Sequence, residues 1–297
     1  MTDSPPASGP RPARQATLAG SFTRSGRGLH TARFATVRVS PAEPGSGVVF
    51  RRTLRGGGVV SVPASWHCRV SQPLCTALKA PDGSLVRTVE HLLASLSAFR
   101  IDNALVEIDS EELPIFDGSA TPWCEAIREA GRVEQDAPRR YIRVLREVAF
   151  EDGRRSLSIA SAEQLAIAAR LSLSHFGEMA WEGAITPESF ARELAPSRSF
   201  GRLKWALPAK IYGFVTRKPL LRGASFKTTA AIVGGRVVGG MRLPAEPVRH
   251  RIMDLVGDLS LAGHPILGRL TGAHIGHEVN HALVAKLMRE EGAWELV

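Results

Sequence analysis

The spacing of apolar and polar residues changes period several times along the chain. Residues 34–39 and 48–52 alternate with a period of two, as half-buried strands do, and 103–108 repeats the pattern. Between them, 86–98 carries apolar residues at helical spacing, with Thr88 placed to cap its N-terminus. Thr121-Pro122 signals a second helix, with an N-cap followed by proline at the first helical position, ending near Gly131. Gly56-Gly57-Gly58 and Asp117-Gly118 read as turns. The second half repeats the theme. Residues 141–150, 156–159 and 166–173 read as strands, 217–222 as a basic connection and 230–238 as a hairpin around Gly234-Gly235. Two helical segments follow, 247–262 and 277–291. Each half ends in two helices after several strands. This predicts an α+β fold of two domains of similar plan, each with a mainly antiparallel sheet. The polar stretch 133–140, which contains Pro138, marks the boundary. The domains then cover 15–135 and 136–297, after a disordered tail over 1–14.

Length and composition agree with this plan. The chain has 297 residues, 44% of them apolar, which is enough for two cores. No apolar run approaches the ~18 residues that cross a bilayer, so no transmembrane segment is expected. The tail is rich in Pro, Ser and Ala and lacks the apolar stretch of a secretory signal, so a cytoplasmic location is expected. The three cysteines, Cys68, Cys75 and Cys124, show no C-x-x-C spacing and read as core fillers. The net charge of +9 favours an anionic partner: nucleic acid, anionic lipid or a phosphorylated substrate. The longest basic runs are pairs such as Arg51-Arg52, and no basic helix with interleaved aromatics offers a nucleic-acid groove. No nucleic-acid partner is expected.

The histidines are the candidates for chemistry. His250 and Asp254 are four apart on an expected helix, and Asp258 continues that face. An imidazole and a carboxylate so spaced can share a zinc ion, although the same spacing also suits an ordinary ionic pair. In Thr88-Val89-Glu90-His91-Leu92 a carboxylate adjoins an imidazole. Near a helix end one can ligate a metal while the other reaches a water beside it, as a general base does; an ordinary capped helix gives the same pattern. His277-Glu278-Val279-Asn280-His281 fits H-E-x-x-H, the zinc-protease pattern. It stands at an expected helix start, lacks the extended Gly and His, and leaves sixteen residues for a further ligand. It therefore reads as a chance match.

Nine short motifs, in order, resemble the UDP-3-O-acyl-N-acetylglucosamine deacetylase family, the zinc enzymes of lipid A synthesis. They are Gly26-Arg27-Gly28-Leu29-His30-Thr31, Thr88-Val89-Glu90-His91-Leu92, Ile101-Asp102-Asn103, Pro114-Ile115-Phe116-Asp117-Gly118-Ser119, Ser197-Arg198-Ser199-Phe200-Gly201, Val248-Arg249-His250, Gly257-Asp258-Leu259, Ala262-Gly263-His264 and Gly276-His277. The likeness runs from about Gln15 to Met288. It implies helices sandwiched between two outer sheets, and zinc (or ferrous iron) bound by His91, His250 and Asp254. It implies Glu90 as general base, and His277 as a cationic partner oriented by Asp258. Ser199 would contact the oxyanion, and Phe200 and His30 would line the substrate site. The substrate is an acylated UDP-N-acetylglucosamine, and the chain is expected to act as a monomer. An inserted βαβ element around 199–224 would form an apolar passage for the acyl chain, with Trp205 and Tyr212 in 203–214. The chain departs from the family at Arg251, usually lysine; at Ser199, usually threonine; at Pro247; and at Lys227-Thr228-Thr229. These departures leave room for a divergent or inactive paralogue that binds another UDP-sugar.

Overall fold

A computed structural model of the protein describes residues 13–216 and 218–297. The tail expected over 1–14 lies outside the described residues except at its end, where Arg14 opens the first strand. That strand, β1 (Arg14–Leu18), precedes two hairpins: β2 (Phe22–Arg27) with β3 (Phe34–Pro41), and β4 (Val48–Thr53) with β5 (Val59–Pro63). A small antiparallel sheet follows, of β6 (Arg69–Val70), β7 (Ala77–Lys79) and β8 (Leu85–Arg87). Helix α1 (Glu90–Ala98) leads to β9 (Ala104–Ile108) and then to α2 (Thr121–Ala130). β9 inserts between the hairpins, antiparallel to β3 and parallel to β4, so the sheet order is 2-3-9-4-5. Ala35, Val37 and Val39 of β3 and Ala104, Val106 and Ile108 of β9 point to one buried face, as a sheet covered on one side requires.

The chain then repeats the arrangement. β10 (Arg132–Pro138) pairs with β1, and β11 (Ile142–Val144) joins a peripheral sheet. Two further hairpins are β12 (Val148–Asp152) with β13 (Arg155–Ala160), and β14 (Ala166–Leu173) with β15 (Gly177–Ala184). A short turn, α3 (Pro187–Ser189), precedes a parallel β–α–β unit of β16 (Phe200–Arg202), α4 (Leu203–Val215) and β17 (Ala230–Val233). The last strand turns through Gly234-Gly235 into β18 (Arg236–Val237). Helix α5 (Glu246–Leu259), β19 (Ile266–Leu267), β20 (Arg269–Ala273), α6 (His277–Arg289) and β21 (Trp294–Leu296) complete the fold. β20 enters between β13 and β14, giving the order 12-13-20-14-15 with the same parallel and antiparallel pairings as in the first sheet. Leu92, Leu93 and Leu96 of α1 fill the core under the first sheet, and Val248, Ile252 and Leu255 of α5 the core under the second. The fold is mixed, with several sheets and few helices.

Several expectations need correction. Residues 86–87 belong to β8, and α1 begins at Glu90 with Val89 in the capping position. Thr88 does not cap it: its φ is 58°, and its hydroxyl donates to buried Glu112 at 3.1 Å. The single strand expected at 141–150 is two strands in different sheets. The polar 133–140 stretch is mostly strand, because β10 has an exposed face. The second strand of the β–α–β unit lies at Ala230–Val233, beyond the expected limit of 224.

Candidate active site

Helices α1 and α5 cross at Gly257, where a Cβ would stand 2.2 Å from the Glu90 carbonyl oxygen. Only glycine permits this approach, and it brings the first turn of α1 against one face of α5. Glu90 and His91 open α1; His250, Asp254 and Asp258 recur every four residues on α5; His277 opens α6. All six side chains are buried.

His91, His250 and Asp254 each offer an atom within 4.8 Å of the others. His91 Nε2 is 3.6 Å from Asp254 Oδ1, and His250 Nε2 is 3.5 Å from Oδ2, both beyond good hydrogen-bond distance. Asp254 Oδ1 is buried and has no hydrogen-bond donor among the described residues. A buried carboxylate oxygen without a donor, flanked by two imidazole nitrogens, fits a cation with nitrogen and oxygen ligands. Burial lowers the His250 pKa to about 4, so the ring is neutral and a lone pair is available. Burial works against ionisation of Asp254, but His250, His91 and His277 outweigh it and hold the carboxylate well below its usual range. On its far side His250 Nδ1 lies 3.2 Å from the Ser197 carbonyl, which orients the ring.

A second cluster, Asp258 with His277 and His281, is also compact, but its donors are already committed. Thr76 Oγ1 donates to Asp258 Oδ1 at 2.5 Å and lies 2.9 Å from His281 Nε2. Asp258 Oδ2 accepts from Asn280 Nδ2 at 2.8 Å and lies 3.0 Å from His277 Nδ1. Glu278 points away and pairs with Arg69 and Ser71 at the surface. The H-E-x-x-H reading therefore fails: its glutamate does not face the space its histidines border.

Between the clusters His277 Nε2 is 3.8 Å from Glu90 Oε1 and 3.9 Å from Asp254 Oδ2. Burial depresses the His277 pKa, yet the Asp258 carboxylate outweighs it and raises the value to about 10, so the ring is cationic at neutral pH. Burial raises the Glu90 pKa to about 7, with His277 and His91 offsetting part of the effect. Glu90 Oε2 accepts the Thr76 N–H at 3.0 Å, which fixes the carboxylate. A nitrogen–oxygen trio, a carboxylate near neutrality and a held imidazolium make a constellation suited to hydrolysis.

Residues 15–289 match the family described as UDP-3-O-acyl N-acetylglycosamine deacetylase. The chain belongs to this family. Curated relatives named UDP-3-O-acyl-N-acetylglucosamine deacetylase include those of Syntrophotalea carbinolica and Myxococcus xanthus. Each is 36% identical, with 95% of this chain covered and 90% and 89% of the relative's length, respectively. The relative from Phenylobacterium zucineum is 37% identical, with 92% of each chain covered. The chain is thus a deacetylase, a hydrolytic enzyme.

The deacetylase's remaining candidate residues surround this centre. Ser199 is fixed by its N–H on the Gly118 carbonyl (2.6 Å) and by the Ala230 N–H on its own carbonyl (2.7 Å). Gly118, at φ 89°, permits this contact: a Cβ would meet the Thr228 carbonyl oxygen at 2.4 Å. The next residue, Phe200, sets its ring edge-on to His250, 6.1 Å between centroids. The Arg251 guanidinium stacks 5.2 Å from the Phe200 ring centroid, and Gly276 gives it room. A lysine could not lay a planar group on that ring. His30 is buried, and neither ring nitrogen has a partner among the described residues. Burial lowers its pKa, and the nearby His277 cation is among the lesser influences in the same direction.

The Gly-Arg-Gly-Leu-His-Thr motif has a structural task. Its loop surrounds Glu112, which accepts from the N–H groups of His30 and Thr31 (both 2.7 Å) and from the Thr31 hydroxyl (2.6 Å). At Gly28 a Cβ would lie 2.3 Å from a Glu112 oxygen. Sequence reading missed Glu112, Thr76, Asn280 and the pairing of Arg198 with Glu246 (2.8 Å) that anchors the start of α5. Nothing in spacing marks Thr76. Arg198 did sit inside a quoted motif.

Proposed function

We propose that the protein hydrolyses the N-acetyl amide of UDP-3-O-acyl-N-acetylglucosamine, giving UDP-3-O-acyl-glucosamine and acetate, the committed step of lipid A biosynthesis. The observation that carries this reading is the buried convergence of His91, His250 and Asp254 beside Glu90 and His277 in a chain of the deacetylase family. These three residues would hold one zinc ion, and the same donor set suits ferrous iron. Such an ion supplies Lewis acidity at the acetyl carbonyl and acidifies an adjacent water. Glu90, with Oε2 tied to Thr76, keeps Oε1 to take the proton of the attacking water. As the water oxygen bonds to the carbonyl carbon, charge develops on the carbonyl oxygen, where the Ser199 hydroxyl would meet it. His277 presents Nε2 to the same space while Asp258 keeps it charged. When the C–N bond breaks, the amine nitrogen takes a proton from Glu90 or His277.

Phe200 and His30 would line the sugar site, and the chain's excess of positive charge suits the diphosphate. The inner side of the β16–α4–β17 unit would take the acyl chain. The repeated strand order supports two domains, 15–135 and 136–297, with that unit inserted in the second. The nucleotide-linked substrate suits a cytoplasmic monomer whose site is built within one chain. The other reading, an inactive binding paralogue, rests on Arg251. The place of Glu90 and His277 at the site favours catalysis instead. The deciding measurement is acetate release from UDP-3-O-acyl-N-acetylglucosamine by purified protein, with chelator and after zinc or iron is restored. Chelator-sensitive turnover is expected. Binding of the UDP-sugar without turnover by metal-loaded protein would instead favour the paralogue.

A further inference from the structure

The positive charge is not evenly spread. Residues 194–245 hold ten Lys and Arg and no Asp or Glu, so they account for the net charge of +9, and the rest of the chain is balanced to within one charge. The segment's ion pairs among the described residues are Arg198 with Glu246 and Arg242 with Asp117. Lys204, Lys218, Arg222 and Lys227 are exposed without an acidic partner there.

Helix α4 lies inside this segment and exposes its large apolar side chains. At about 100° per residue, Leu203, Phe214, Ile211, Val215, Tyr212 and Trp205 fall within one arc, with exposed Lys204 among them. All six are exposed: Phe214 by 82%, Val215 by 72% and Trp205 by 60%. The opposite face is the anchored one. Gly213 is buried there, and a Cβ on it would lie 2.9 Å from the Lys218 carbonyl oxygen. Ordinary surface helices bury the apolar arc and expose the polar one. The inner side of the unit, around Gly213, is left to the proposed acyl passage, and the exposed arc lies on the other side of the helix.

We infer that α4 and the cations around it form a docking surface for an anionic lipid bilayer. Exposed aromatic and aliphatic side chains enter the boundary between headgroups and acyl chains, while the flanking lysines and arginines meet the anionic headgroups. Charge complementarity selects this occupant. A segment of ten cations and no anions repels a second copy of itself, and the aliphatic half of the arc, Leu203, Ile211 and Val215, suits acyl chains, whereas a nucleobase would stack only on Trp205, Tyr212 and Phe214. The surface is peripheral, since no described helix is long and apolar enough to cross a membrane. This inference goes beyond the proposed reaction and does not depend on it.

The experiment is co-sedimentation of the full-length protein with phosphatidylcholine vesicles, with and without about one-third phosphatidylglycerol. Binding is expected to be at least tenfold stronger to the anionic vesicles and to fall steeply as salt is raised. The double variant Phe214→Asp, Val215→Asp is expected to lose it, with the fold checked by circular dichroism. The surface variant Lys218→Glu, Arg222→Glu should weaken it by about fivefold or more for each cation reversed. Equal binding to both vesicle types, binding to neither, or full retention by either folded variant would overturn the inference. So would tight binding of duplex DNA unaffected by the Phe214 and Val215 changes, or a dimer in sizing chromatography that those changes dissolve. No outcome depends on turnover, so failure here and failure of the deacetylase reading are separate results.

Discussion

Glu90 has one oxygen tied to Thr76 and the other facing His277, an arrangement that serves proton transfer better than ligation. Glu90→Ala should therefore keep its metal content by elemental analysis while kcat drops ~10²–10⁴-fold, the usual span for a lost general base. The proposed mechanism requires Glu90 ionised and His277 protonated. Since Glu90 titrates near 7, the rate should rise with pH to a midpoint at or below that value, because a bound cation stabilises the carboxylate further. Since His277 is raised to about 10, and a bound cation lowers a neighbouring imidazolium, the rate should fall as pH passes a midpoint at or below that value. Asp258→Asn removes the largest influence raising His277 while burial remains, so the alkaline limb of kcat/KM should move to lower pH. An unchanged limb would remove His277 from the profile. His281 belongs to the cluster already committed to Thr76 and Asp258, and His281→Ala should retain metal; a protease using H-E-x-x-H would lose it. Residue types next to one another, such as Glu90 and His91, were legible in the sequence. Thr76 and Glu112 were not, because each matters through partners far away in the chain that only folding brings near.

At the scale of elements, periodicity located α1, α2, α5 and α6, and it located most strands of the two large sheets because a strand there has one face wet and one dry. It misplaced the start of α1, because Thr88 is used to satisfy Glu112 rather than to cap the helix. It fused β11 and β12, whose residues alternate alike although they belong to different sheets. It missed β10 because an edge strand with little burial carries no alternation to read. The crossing of α1 and α5 rests on Gly257, which the motif Gly257-Asp258-Leu259 contained without giving its reason. Gly257→Ala should lower stability by about 1–3 kcal/mol through overpacking, seen as an earlier denaturation midpoint. Because His91 lies on one of these helices and His250 and Asp254 on the other, the same variant should bind zinc more weakly. Unchanged affinity would show that the helices adjust without moving the ligands.

At the scale of the whole molecule, sequence periodicity revealed that the halves share a plan, but not the strand order they share. In each half the last strand to be made is the middle one of its sheet. This has a consequence during synthesis. When the ribosome has made the chain as far as Pro63, two hairpins exist, and the inner edges of β3 and β4 have no partner until β9 emerges after α1. Open edges recruit other chains. Chains cut just before Ala104 should therefore aggregate faster in a light-scattering assay than chains extended past Ala130, and similar rates would show that the edges are shielded some other way. A nascent enzyme of this plan passes twice through a state with a gap at the centre of a sheet, first awaiting β9 and later β20. The interval before each gap is filled is when the growing chain most needs a chaperone's cover.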